Sequence, residues 1–322
     1  GRIGENIPPI RYMTIDLKFT PLCYRDHNQR FLQLVAKMAK PPKGKGEPVT
    51  VDNPQSEGGH RDWGLIRLLS LLSFSPQLER FVSRVGVEKT VVSKVSRYLT
   101  RADGGFAAYW HYSTREPSDT VPLTRFAQAK YLLSESPKLR YIFRILQEQG
   151  MFDALRDGRR LPRFLIFCQN PLTTWVVSML LESLGVPTLA IRSTTTTEAR
   201  AAIARKFCER DARVGALVTT YACGAYGLNL HSQSSRVICV ESPQNLAGIW
   251  QGGGRVHRVG QAEPQRVWIL FLDHTIQRWL EWNNMQKALP EVAGVLYGAL
   301  RGLLATGTPP GGNDDDESVD GE

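Results

Sequence analysis

Arg163-Phe-Leu-Ile-Phe-Cys-Gln-Asn-Pro171 is a continuous apolar run that ends in a polar residue and an Asn-Pro pair. An uninterrupted run of this length suits a strand covered on both faces, since a half-exposed strand alternates. Asn followed by Pro supplies an N-cap and a first helical turn. The next helix then runs to Leu184 and stops at Gly185. The same unit repeats downstream. Pro187–Ile191 reads as a second strand, and Thr195-Thr-Thr-Glu198 as a capping box that opens a helix to about Glu209. Val214–Thr219, Arg236–Val240 and Val267–Leu272 read as three further strands, with a last helix from Thr275 to about Ala288. Strand and helix alternating in this way predict an α/β fold built on a parallel sheet with both faces covered. Such sheets hold ligands at the carboxyl ends of their strands, so the loops after the third, fourth and fifth strands are where function is expected.

Upstream the pattern differs. Pro8-Pro9 precedes a partly alternating run, Arg11–Phe19, that reads as a strand. Tyr24–Lys40, Gly64–Leu72 and Leu78–Leu99 read as helices, and residues 41–62 as a loop rich in Pro, Gly and polar residues. Phe106, Tyr109, Trp110 and Tyr112 form an aromatic cluster, for which core packing is the ordinary use. Ser136-Pro137 opens a helix that ends at Gly150. The predicted organisation is a strand segment at 1–20, a mostly helical region at 21–135, the α/β lobe at 136–290, a helical extension at 291–305 and a disordered acidic tail at 306–322.

Composition narrows the classes of function. The chain has 322 residues, enough for a full core, and a net charge of +9. Its last ten residues hold six acids and no base, so the remainder carries about +15, a charge that suits a polyanion. No apolar run approaches the ~18 residues of a membrane span. Five cysteines, Cys23, Cys168, Cys208, Cys223 and Cys239, are scattered without a C-x-x-C pair, which predicts reduced thiols and no metal site. The chain begins Gly1-Arg-Ile without an initiator methionine, which fits either a fragment of a longer protein or a mis-started reading frame.

Two stretches carry chemistry. Thr219-Thr-Tyr-Ala-Cys-Gly-Ala-Tyr-Gly-Leu-Asn-Leu230 is a loop whose glycines allow main-chain amides to face an anion. Gln251-Gly-Gly-Gly-Arg-Val-His-Arg-Val-Gly-Gln261 places Arg255 and Arg258 three apart, on nearly one face if the stretch is helical. Guanidinium is the group suited to phosphate, because its fork donates in pairs and stays charged. Gly252, Gly253 and Gly254 disfavour a plain surface helix and allow close approach of another group. No G-x-x-x-x-G-K-[ST] occurs, and no Asp-Glu-x-His.

The order of these motifs resembles the C-terminal RecA-like lobe of superfamily-two helicases, and more narrowly the Swi/Snf-type DNA-translocating ATPases. The likeness rests on Gly227-Leu-Asn-Leu230, on a strand ending at Glu241, and on the Q-x-x-G-R-x-H-R-x-G-Q of Gln251–Gln261. Phe164–Gln169, Arg192-Ser-Thr and Ser136-Pro-Lys-Leu139 are similar to further family segments. Gln261 distinguishes the stretch from RNA helicases of the DEAD-box type, which usually carry arginine there. Ala222 stands where many relatives have a basic residue, Gly253 is unusual, and Asn245 with a displaced Pro243 replaces Trp-Asn-Pro. The resemblance implies a fold, a RecA-like lobe preceded by a helical protrusion, and an activity, ATP hydrolysis with Mg2+ in a cleft completed by a first lobe that lies N-terminal to it. It implies Arg255 and Arg258 as arginine fingers. Gln251, Gly227 and Asn229 are then nucleotide-side residues, and Thr219, Thr220 and Arg192 contacts to DNA. His257 is expected to pack or hydrogen-bond rather than exchange protons. Duplex DNA or chromatin and a nuclear location follow by the same resemblance. A non-catalytic DNA- or protein-binding module is the rival reading, and an RNA helicase lobe a weaker one.

Overall fold

Phe164–Cys168 does form a strand with every residue buried, and five further strands run parallel to it. In the computed structural model the described residues are 7–38, 63–86, 88–115, 120–224, 230–243, 247–273, 275–278 and 280. They all fall within one compact unit, Gly1–Glu281. The strands are β1 (Ile10–Leu17), β2 (Phe164–Cys168), β3 (Thr188–Ile191), β4 (Ala216–Thr220), β5 (Arg236–Cys239) and β6 (Gln265–Leu272), in the sheet order β1-β6-β5-β2-β4-β3. The first strand in the sequence is thus the outermost strand on one side. β1 pairs with β6 along its full length, from Ile10 opposite Gln265 to Leu17 opposite Leu272.

Side chains of one strand alternate between two cores. Phe164, Ile166 and Cys168 of β2 join a large cluster that takes in Phe74, Phe81, Tyr109, Leu139, Ile142 and Trp175. Leu165 and Phe167 face the other way, toward Phe207, Ile249, Val256 and Val267. On the first face lie α7 (Pro137–Glu148) and α9 (Pro171–Ser183), and the upstream helices pack onto that layer. These are α1 (Pro21–Met38), α2 (Trp63–Phe74), α3 (Pro76–Val85), α4 (Glu88–Tyr98), α5 (Phe106–Ser113) and α6 (Arg125–Ser134). The aromatic cluster is core, as expected: Tyr109 is wholly buried, and the Trp175 ring meets Phe81 and Tyr109 edge-on. The Trp175 indole N–H donates to Gly104 O at 2.8 Å, which ties α9 to the turn before α5. Helical region and sheet therefore share one core.

Local signals account for the element ends. Asn170 Oδ1 accepts the Leu172 N–H at 2.9 Å with Pro171 in the first turn, and Gly185, at φ +74°, ends α9 in a conformation other residues adopt at a cost. Ser136 Oγ accepts from Leu139 N and donates to Phe74 O at 2.7 Å, so one hydroxyl caps α7 and fastens the end of α2. The N-cap falls one residue later than the sequence predicts, and with Ala199 rather than Glu198 at the third position no capping box forms. Thr196 caps α10 (Thr197–Cys208) through the Ala199 N–H, while Thr195 Oγ1 accepts the Arg192 N–H at 2.9 Å and closes the preceding turn. Between β2 and α7 lies α8 (Met151–Arg156). The loop at 41–62, most of the helix from Thr275, the extension at 291–305 and the tail at 306–322 lie outside the described residues.

Candidate functional site

The chain leaves β5, passes Glu241, and enters α12 (Ala247–Gly254). The triple glycine is therefore helical, though with Gly252 and Gly253 buried it is not a plain surface helix. Two of these glycines are contact points where tertiary packing outweighs intrinsic propensity. A Cβ on Gly252 would press on the Phe167 ring at 3.1 Å, and one on Gly253 would overlap the Tyr12 hydroxyl. Gly253, unusual by the resemblance drawn from the sequence, thus matches a tyrosine on the edge strand β1.

α12 ends at Gly254, so Arg255 and Arg258 lie in the turns that follow, and the helical one-face argument for them does not hold. Main-chain bonds fix the turns: Arg255 N to Gly252 O at 3.2 Å, His257 N to Gly253 O at 3.0 Å and Gln261 N to Arg258 O at 3.0 Å. Arg258 Nε donates to Gly254 O at 3.2 Å. Arg255 is 8% exposed. Burial, and then the neighbouring Arg258, push its guanidinium below the ordinary value. Two cations held this close favour an anion between or beside them.

Gln261 is the anchor of the turn. Its side-chain amide lies within hydrogen-bond range of Val256 O (2.9 Å), Ser234 O (3.0 Å) and His231 O (3.1 Å), and its Oε1 accepts the Glu263 N–H at 3.1 Å. His257 Nδ1 meets Gln265 Oε1 at 2.5 Å, a hydrogen-bonding role in keeping with the expectation. Ser234 and His231 precede β5, so Gln261 joins the arginine turn to the amino end of the sheet. The sequence reading placed the chemistry at the carboxyl ends. A parallel crossover must bring the chain back to the amino end, and the turn lies on that return from α12 to β6.

The carboxyl ends hold a different cluster. Glu241 is 3% exposed, and its Oε2 accepts the N–H groups of Gln169 (2.9 Å) and Asn170 (3.1 Å). Tyr221 Oη donates to Glu241 O at 2.8 Å. Lys138, fully buried, donates to Val240 O. Burial lowers the Lys138 ammonium to about 8 against the opposing pull of Glu241, and burial raises the Glu241 carboxyl. The β2, β4 and β5 ends are thereby tied together. Sequence reasoning saw Glu241 only as a strand end and gave Lys138 no role. A lone lysine near a helix start carries no signal of burial.

The remaining predicted residues are dispersed. Gln251 is exposed on α12. Thr219 and Thr220 are buried at the end of β4, and Thr220 Oγ1 accepts the Cys223 N–H to cap α11 (Tyr221–Gly224). Gly224 makes room for Phe167, whose ring its Cβ would meet at 2.5 Å. Arg192 follows β3, half-buried, its guanidinium lowered by burial against the pull of Glu182. Gly227 and Asn229 lie outside the described residues. Among the described residues no group of three His, Cys, Asp or Glu is placed to hold a metal ion, and no helix is long and apolar enough to cross a membrane.

A model of the helicase conserved C-terminal domain matches residues 144–260. Over 134 residues the chain is 29% identical to "Helicase SWR1" of Mycosarcoma maydis, which covers 42% of this chain and 7% of that protein. The crystal structure of the C-terminal part of the Fun30 ATPase domain superposes with a TM-score of 0.55 at 17% identity, covering 87% of this chain and 90% of that one, which establishes the fold. Residues 144–260 are thus similar to the helicase conserved C-terminal domain, on a fold shared with the Fun30 lobe. The chain is also 30% identical over 114 residues to a probable global transactivator of Orgyia pseudotsugata multicapsid polyhedrosis virus, across 35% of this chain and 23% of that protein. The chain spans less than a quarter of the length of either curated relative.

Proposed function

We propose that this lobe forms one wall of an ATP site and, joined to a first RecA-like lobe, serves an ATP-driven translocase on duplex DNA in the nucleus. The observation that carries the reading is the arginine turn. Arg255 and Arg258 stand on a backbone fixed by Gln261 and by two glycine contacts, so they are positioned before any ligand arrives. Preorganised cations are what phosphoryl transfer requires, because negative charge spreads over the γ-phosphate oxygens as the bond breaks. ATP with Mg2+ supplies the transferable phosphoryl group and its metal clamp, held mainly by the first lobe. In this lobe Arg258 would meet the γ-phosphate, Arg255 would support the charge from its more buried position, and exposed Gln251 would add an amide to the nucleotide side. Gly227 and Asn229 link nucleotide state to the grip on DNA. Thr220, whose hydroxyl caps α11, shapes the loop that meets the tracked strand, with Thr219 and Arg192 near it.

The test uses the protein in which this lobe is joined to a P-loop lobe. Arg258→Ala is expected to lower DNA-stimulated ATPase by roughly 10³-fold or more with nucleotide binding nearly intact. Normal turnover in that variant eliminates the finger assignment. DNA binding without any ATPase in the unmutated protein would instead favour a non-catalytic DNA-binding module. Stronger stimulation by duplex RNA than by DNA would favour an RNA helicase.

A further inference from the structure

At the amino end of the sheet, on the α7 and α8 side, a cavity of about 260 Å³ is lined by Arg159, Arg160, Arg163 and Arg236, with Gln149, Gln233 and Glu263 on its wall. The arginine turn follows α12, which packs on the opposite face of the sheet. What orients these guanidiniums is mostly neutral. Arg160 donates to the amide oxygen of Gln233. Gln149 Oε1 accepts from Arg236 Nε and from the adjacent Arg266, both at 3.2 Å. Arg163 is 2% exposed and is held by the main-chain carbonyls of Phe207, Glu209, Arg210 and Ala212. Carboxylates balance only part of the charge: Asp157 pairs with Arg159 at 3.0 Å, and Glu263 lies 3.6 Å from Arg236.

Arg159 and Arg160 stand at the exposed rim and Arg236 is half-buried, where a cation left unbalanced is costly. Here neutral oxygens fix the direction of the cations without cancelling their charge. Orientation without neutralisation is what a receptor for a multiply charged oxyanion needs. We propose that this cavity binds a phosphate group of a polyanion, at a site separate from the arginine turn. Arg160 and Arg236 supply paired donors to the phosphate oxygens, while the guanidinium of Arg163 is engaged with the carbonyls at and after the end of α10 and adds only its charge. The phosphate belongs either to a small free polyphosphate or to a nucleic-acid backbone, and the two sources share this chemistry.

The experiment is calorimetric titration of the 322-residue chain with inorganic tripolyphosphate in chloride buffer, carried out in the Arg258→Ala background so that the arginine turn contributes little. One-to-one binding is expected. Gln233→Glu places a carboxylate against Arg160, and Gln149→Glu places one against Arg236. Each neutralises a donor without removing it and is expected to weaken binding roughly tenfold or more. If Gln233→Glu disturbs folding, judged by circular dichroism, Arg160→Gln replaces it with the same expectation. Competition by a short DNA duplex that depends on Gln233 assigns the phosphate to a backbone. Tripolyphosphate binding that duplex DNA does not displace assigns it to a small ligand. No measurable heat, or an affinity indifferent to all three substitutions, overturns the proposal. Because the readout is binding to this chain alone, it is independent of the finger assignment.

Discussion

Replacing Gln261 by Leu tests whether one amide side chain holds the arginine turn in place. The residue is 8% exposed, so water does not substitute freely for what is lost. Its NH2 group has two protons for three carbonyls at 2.9, 3.0 and 3.1 Å, so two strong donor bonds exist at a time, and Oε1 accepts a third bond from Glu263 N. Three bonds at about 1 kcal/mol net give about 3 kcal/mol. Carbonyls left without a donor add to the cost, and the apolar contact that leucine gains returns about 1 kcal/mol. The expected loss is therefore about 3 kcal/mol, a ~100-fold change in the folding equilibrium. Gln261→Glu should cost more, since it aims a carboxylate at three carbonyl oxygens. Urea unfolding measures this as a lowered midpoint at unchanged slope. Hydrogen exchange at the Glu263 amide should accelerate in parallel. A loss below about 1 kcal/mol, or unchanged exchange at Glu263, refutes the anchoring role.

The fit between edge strand and helix predicts that Gly253→Ala costs about 1–2 kcal/mol, an overpacking penalty reduced by the better helix propensity of alanine. Tyr12→Phe removes the hydroxyl that a Cβ at position 253 would overlap and should shrink the Gly253→Ala penalty by at least ~0.5 kcal/mol, so strictly additive effects in a double-mutant cycle argue against the contact. Stability should fall from about pH 9 upward. Burial pushes Cys239 up to about 12 and Cys168 higher than its usual 9.0, so the folded state keeps two protons that the unfolded chain releases. Lys138 works in the opposite sense between about 8 and 10.5, because the unfolded chain keeps a proton the fold has given up. The net difference is one proton, or ~1.4 kcal/mol per pH unit, steepening above pH 10 as Tyr109, Tyr131 and Tyr221 hold theirs. Denaturation midpoints that stay level from pH 8 to 10.5 would contradict this.

The elements were legible because the physics behind them is local. Phe164–Cys168 is apolar throughout because both of its faces are covered, and Asn170-Pro171 announces a helix by hydrogen bonding that needs no distant partner. The sheet order was not legible. Nothing in Ile10–Leu17 names β6 as its neighbour, and β4 enters between β2 and β3 by packing alone. The candidate site divides in the same way. Arg255 and Arg258 carry a chemical signal in their residue type. The function of Gln261 lies in three carbonyls that any residue can supply, and Gly253 makes sense only beside Tyr12. The expectation for the carboxyl ends failed for the arginine turn because it described where ligands meet strands, whereas these arginines lie where the chain returns to begin the next one.

The pairing of β1 with β6 also sets an order in time. Ile10 stands opposite Gln265, about 250 residues later, so at ~5–20 residues per second the ribosome needs roughly 10–50 s to deliver the partner of a strand it made first. In that interval β2 and α9 can already associate, while β1 waits with unpaired peptide groups and an apolar face turned to the crowded cytosol. Closing so long a loop is entropically slow, and β1 is expected to be the last strand to lock. The synthesis of this lobe therefore has a vulnerable window, which closes only when Gln265–Leu272 has left the ribosome exit tunnel.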